Sequence, residues 1–183
     1  MELEPKKYYH LYNRSNNHEQ LFRNIDNYIY FFSKYRKYLE PFVDTLAYCL
    51  MPDHFHFLVF IKSNESIRIK KNIGLLLSSY TKAINKSFSR VGSLFQQHTK
   101  TKLLNDENYL LTVIAYIHQN PLRKNLVKNI DGWEFSSYRD YIELRKDTLV
   151  NISFVQDRIT SIEAFKFFSS TKVEKNNFIY DLH

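Results

Sequence analysis

Three glycines, four prolines and a single cysteine in 183 residues leave this chain short of the residues that bend or crosslink a backbone. The lone Cys49 excludes an intramolecular disulfide framework and a cysteine-rich zinc site. It suits a reducing cytosol, so a cytoplasmic protein is expected. The run from Met1 to Lys7 has no apolar core of the kind a signal peptide needs. The longest apolar stretch, Phe55 to Ile61, is interrupted by His56 and falls far short of the ~18 residues of a membrane span, so no membrane partner is expected. With so few glycines there is also no Lys/Arg-Gly-aromatic-Gly segment of the RNA-recognition type.

Apolar and aromatic residues are plentiful, at 44% and 16%, which is ample core for one domain. Lysine and arginine exceed aspartate and glutamate, 26 to 19, and a net charge of +7 favours a polyanionic partner. An aromatic-rich run from Lys7 to Asn13 reads as a strand. Asn24 or Asp26 can cap a helix to about Leu39, with Ile25, Ile29, Phe32, Tyr35 and Leu39 as its apolar stripe and Pro41 as its stop. Val43 to Leu50 and His54 to Ile61 form a hairpin turned by Met51-Pro52-Asp53. A second helix covers Arg68 to Arg90, with Ile69, Ile73, Leu76, Leu77, Tyr80, Ile84 and Phe88 on its apolar stripe. A loop and short strand reach Leu104, a third helix spans Glu107 to Asn120 until Pro121 stops it, and short helices are expected at Ser137 to Arg145 and Ser161 to Phe168. Strand, helix, strand, strand, helix, strand matches an α+β, ferredoxin-like (RRM-like) antiparallel sheet with helices on one face and extra C-terminal helices.

Two clusters carry chemistry. His54 and His56 are i and i+2 on a strand, so both imidazoles share one face about 7 Å apart at Cα, a spacing that suits chelation of a divalent cation. Two core histidines bonded to backbone are the plainer reading of so short a pattern. Tyr116 and Asn120 are i and i+4 on the third helix, hence neighbours on one face. Among 14 tyrosines and 15 phenylalanines, however, any single tyrosine is more often core than catalyst.

The pairing of these clusters is more specific. Cys49 to Val59, around His54-Phe55-His56, resembles the His-hydrophobic-His motif of HUH single-tyrosine transposases, and Ala115 to Arg123 resembles the tyrosine helix of their REP-associated branch. Tyr9 to Arg14, Gly92 to Gln96 and Trp133 to Tyr138 match in family order, so the likeness covers roughly residues 7–141. It implies a transposase domain over residues 1–145 followed by a C-terminal extension over 146–183. It also implies a metal-dependent endonuclease and strand transferase acting on single-stranded DNA at hairpin or palindromic repeats, as a monomer or homodimer. His54 and His56 would hold Mg²⁺ or Mn²⁺, with Asn120 as third ligand where relatives carry Gln. Tyr116 would attack phosphorus and form a 5′-phosphotyrosyl link. Gln119, about 100° around the helix, is the poorer ligand.

Candidate DNA contacts are Arg14, Lys70, Lys71, Lys82, Lys86, Lys100, Lys102 and Arg123, with Arg90 beside them; His118 is either a DNA contact or structural. A Lys-rich helix face is otherwise simply solvated. The sequence departs from the family at Asp53, where many relatives have Asn, at Gln97-His98-Thr99 in place of a more basic stretch, and at Lys124-Asn125 in place of a small pair. Two other functions remain in play. A nuclease using water would need the histidines and not Tyr116; a non-catalytic single-strand-binding module would need neither.

Overall fold

The computed structural model describes residues 3–146 and 148–173. Four strands form one antiparallel sheet in the order β2-β3-β1-β4, from β1 (Tyr8–Arg14), β2 (Val43–Met51), β3 (His54–Ile61) and β4 (Lys100–Leu104). The crossovers are α1 (Ile25–Tyr38) and α2 (Ser66–Ser87), which pack side by side, so the expected ferredoxin-like core is present. Beyond it lie α3 (Glu107–Arg123), α4 (Tyr138–Tyr141), α5 (Ser153–Gln156) and α6 (Ile162–Ser170).

The sheet's two faces are set by its register. Tyr12 pairs with His56 and Arg14 with His54, so β1 presents His10, Tyr12 and Arg14 on the face of the histidines. The opposite face carries Phe55 and Phe57, which meet Phe31 and Tyr35 of α1. A bulge between Thr45 and Ala47 inserts Leu46 into β2. Thr45 thereby stays on the α1 side, where its hydroxyl meets the Tyr35 hydroxyl at 2.8 Å, while Ala47, Cys49 and Met51 turn to the histidine face.

Of the two candidate caps, Asn24 is the one that caps α1, its side chain accepting from the Asn27 amide at 3.1 Å. The buried stripe differs from the expected one. Tyr35 and Leu39 are buried as expected, but Ile25 and Ile29 are 58% and 59% exposed, and Tyr28 and Phe31 are buried in their place. Two stripes overlap in this segment, and the aromatic one buries more surface per side chain against Phe22, Phe135 and the sheet. On α2 the expected stripe of Ile69, Ile73, Leu76, Tyr80 and Ile84 is buried.

α3 crosses the histidine face, packing on β2, β3 and β4, and it does not stop before Pro121. Proline brings no N–H to the carbonyl four residues back, Ile117. The Asn120 side chain fills that gap, donating to the carbonyls of Tyr116 at 3.0 Å and Ile117 at 3.5 Å, and the helix continues to Arg123.

The segment after α3 seals the edge of β2. Ser136 bridges Cys49, the Leu50 amide donates to the Phe135 carbonyl at 2.9 Å, and Trp133 Nε1 donates to the Leu50 carbonyl at 2.9 Å. α4 is shorter than the expected helix, ending where Glu143 takes a positive φ of 59°. α6 follows its expected span closely, capped by Ser161. The described residues after 145 pack on the preceding elements: Val150 bridges Thr45, and Phe165 sits among His118, Tyr138 and Tyr141. Residues 174–183 of that expected extension lie outside the described residues. Among the described residues no helix is long and apolar enough to cross a membrane.

Candidate active site

β3 brings His54 and His56 together as the alternation requires, with ring centroids 5.2 Å apart and planes at 84°. Each ring is held at one nitrogen. His54 Nδ1 lies 2.7 Å from the Asp53 carboxylate, and His56 Nδ1 lies 3.0 Å from His10 Nε2. Both Nε2 atoms are buried with no hydrogen-bond partner. Burial first, and then the neighbouring His10 and His54, hold the His56 pKa well below 6.5. Burial and Lys102 push His10 down to about 3. His56 and His10 are therefore neutral at ordinary pH, the form in which imidazole binds a metal.

α3 lays Tyr116 across this pair. Its ring is edge-on to His56 with centroids 6.0 Å apart, and only 9% of the residue is exposed. Burial raises the phenol's pKa. The Arg123 guanidinium, 5.4 Å from the ring centroid, and a hydrogen bond with the Asn120 side chain oppose that rise. Asn120 thus joins helix and site: its amide nitrogen repairs the proline gap, which leaves Oδ1 as the atom it could offer a cation.

Two bare imidazole nitrogens on one face, with the Asn120 carboxamide beside the neighbouring Tyr116 phenol, are a donor set that fits a divalent cation such as Mg²⁺ or Mn²⁺ and does not choose between them. Among the described residues no group of three His, Cys, Asp or Glu side chains could hold a metal, so further ligands would come from Asn120 or water.

Other expected residues lie elsewhere. His118 is no DNA contact: it is fully buried, bonded to Ser137 Oγ at 2.8 Å and packed on Tyr138, Tyr141 and Phe165. Gln119 turns away from the histidines and donates to the carbonyls of Ser169 and Thr171 at 2.8 and 2.7 Å. Arg123 is half-buried and bonded to Gln119 and the Val173 carbonyl, so it serves Tyr116 and the chain's own packing before any DNA. Lys70, Lys71, Lys82 and Lys86 are exposed on α2, beside α1 on the face opposite the histidines. Arg90 is taken up by Glu19 at 2.6 Å. Lys100 and Lys102 pair with Tyr12 and His10 in the β1–β4 register, which puts them on the histidine face, and Arg14 stands opposite His54 at its end.

Sequence reasoning missed His10, Tyr12 and the contact made by Asp53. His10 stacks on His56 at 5.0 Å, and the Tyr12 ring lies 5.9 Å from His56. The signal was the i, i+2 alternation of His10 and Tyr12, yet only the pairing of β1 with β3 places it against the motif.

A relative from Haemophilus influenzae, named a REP-associated tyrosine transposase, is 27% identical over 119 residues, 59% of this chain. The chain spans 66% of that relative's length. A solved structure of a REP-associated tyrosine transposase bound to a REP hairpin shares the fold, with a TM-score of 0.62 and 14% identity, covering 81% of this chain and 86% of the other. The family profile described as IS200-like transposase matches residues 5–120, well over half of the sequence, and the chain belongs to that family.

Proposed function

We propose that this protein cuts and rejoins single-stranded DNA next to hairpin or palindromic repeats, with Tyr116 as nucleophile. The observation that carries the reading is the Tyr116 ring set 6.0 Å from the ring of His56, one of two histidines whose Nε2 atoms are bare and buried. Buried polar atoms without partners are costly, and costs of this kind gather where a ligand is meant to arrive. The hairpin bound by the structural neighbour supports DNA of that form as substrate.

His54, His56 and Asn120 would hold the divalent cation. Bound there, the cation would supply Lewis-acid polarisation of a non-bridging phosphate oxygen. Tyr116 loses its proton to water, and its phenolate oxygen bonds phosphorus while the bond from phosphorus to the 3′ oxygen breaks. The departing oxygen takes up a proton and leaves as a 3′-OH, and the 5′ end stays on Tyr116 as a phosphodiester. One phosphodiester replaces another, so a second 3′-OH can reverse the step and join DNA. Arg123 stabilises the developing phenolate through its charge, and Asn120 holds the phenol by its hydrogen bond. Lys100 and Lys102 would meet phosphates approaching this face. Histidine pair and tyrosine meet within one chain.

The test is cleavage of end-labelled hairpin DNA with Mn²⁺ or EDTA. Cleavage is expected only with Mn²⁺, and it should vanish in His54→Ala and in Tyr116→Phe. Equal cleavage by Tyr116→Phe would assign the chemistry to a water-using nuclease. Salt-sensitive binding with no cleavage under any condition would assign a binding module.

A further inference from the structure

The two histidines present a bare Nε2 each, and different neighbours hold their other nitrogens. Asp53 Oδ1 is 2.7 Å from His54 Nδ1, and His10 Nε2 is 3.0 Å from His56 Nδ1. A neutral imidazole carries one N–H, and a carboxylate can only accept. Asp53 therefore keeps the proton on His54 Nδ1 and leaves Nε2 as a lone pair. One proton also lies between His10 and His56. If His10 donated it, the His56 proton would sit on Nε2, a buried donor with nothing to receive it. If His56 donates, the remaining proton falls on the equally buried His10 Nδ1, so burial of a donor does not decide between the two. What decides is that only this arrangement leaves His56 Nε2 as a lone pair that a cation can satisfy.

We propose that Asp53 and His10 are positioning residues that set His54 and His56 in the same Nδ1–H form, aiming both Nε2 lone pairs at one divalent cation. This rests on the metal-dependent reading above. The two anchors are graded by depth. Asp53 stands in the β2–β3 turn with its side chain 45% exposed, where an ionised group is tolerated. His56 lies two residues beyond His54 on β3 and is fully buried, where a carboxylate would be expensive and a neutral ring is not. His10 is itself fixed, stacked on His56 at 27° between planes and flanked by Tyr12 at 5.1 Å. The departure at Asp53 thus gives this chain a charged anchor where an Asn would give a neutral one.

Mn²⁺ affinity of the full chain, read by electron paramagnetic resonance of free Mn²⁺, tests this without any DNA. His10→Phe keeps the stacked ring and loses the acceptor; Asp53→Leu loses the carboxylate. Each should weaken Mn²⁺ binding by about 10–100-fold, while His10→Gln and Asp53→Asn, which retain an acceptor oxygen, recover most of it. If His54→Ala and His56→Ala bind as wild type does, the metal reading falls and this proposal with it. If those two lose binding but His10→Phe and Asp53→Leu do not, the positioning roles alone are overturned. Wild-type protein loaded with Zn²⁺ gives a check that no folding defect can blur. Its ¹⁵N spectrum should show His56 protonated at Nδ1 and coupled across the hydrogen bond to His10 Nε2. A proton on His56 Nε2 overturns the proposal.

Discussion

On β3 histidine and phenylalanine alternate, and the two sets live in different surroundings. Phe55 and Phe57 face α1, where Tyr35 stacks on Phe57 at 4.3 Å and its hydroxyl finds Thr45. His54 and His56 face α3, with bare nitrogens beneath a buried phenol. Among the described residues, further buried atoms without partners include His118 Nδ1, Arg123 Nε and Ser169 Oγ, on α3 and on α6, which packs on it. A strand's period of two lets one segment anchor the fold with one set of residues and carry the chemistry with the other. The well-packed aromatic face offsets what the under-satisfied face costs.

The comparison breaks most visibly at the nucleophile. Tyr116→Phe should lose all covalent attachment of DNA, while circular dichroism and the unfolding midpoint stay close to wild type. The missing hydroxyl forfeits one hydrogen bond, about 1 kcal/mol. Next in size is a pair of substitutions on adjacent residues of β3. Phe57→Ala should cost about 3–5 kcal/mol in denaturant unfolding. His56→Phe removes one buried nitrogen without a partner but also takes the Nδ1 bond from His10 Nε2, so it should cost less, about 1–3 kcal/mol, even as it ends metal binding. A larger loss for His56→Phe would show that the histidine face holds the fold together as firmly as the aromatic one.

Metal linkage sharpens the same contrast. At 100 times its Kd, Mn²⁺ should add about 2.7 kcal/mol to wild-type stability. His56→Ala should gain nothing, measured by thermal unfolding with and without EDTA. The lysines give a smaller test, read from hairpin affinity against salt. Lys100→Ala and Lys102→Ala, on the histidine face, should each lower the slope of log K against log salt by just under about one unit. Lys82→Ala and Lys86→Ala, on α2 behind the sheet, should leave it nearly unchanged.

What the sequence made legible follows from the range of each cause. The Asn24 cap, the short helix after Ser161, the Pro52-Asp53 turn and the alternation on β3 are local, and they stand where the residues put them. The buried side of α1 was misjudged because two apolar stripes overlap there and only the partner surface chooses between them. Pro121 gave a false stop because the compensating donor is a side chain, Asn120, already singled out for another reason. His10 and Tyr12 escaped notice because their place depends on how β1 registers against β3, a pairing across more than forty residues. For the same reason the α2 lysines could be read as basic but not as lying behind the sheet.

The most direct test of Tyr116 chemistry is to trap the reaction and find where the DNA is attached. Wild-type protein, Mn²⁺ and a short hairpin would be quenched, digested with protease and nuclease, and analysed by mass spectrometry. The account predicts a 5′-nucleotide phosphate on the peptide containing Tyr116, absent with EDTA and unchanged in Tyr12→Phe, the other phenol beside His56. Cleaved DNA with no modified tyrosine, or with the modification on Tyr12, would contradict it.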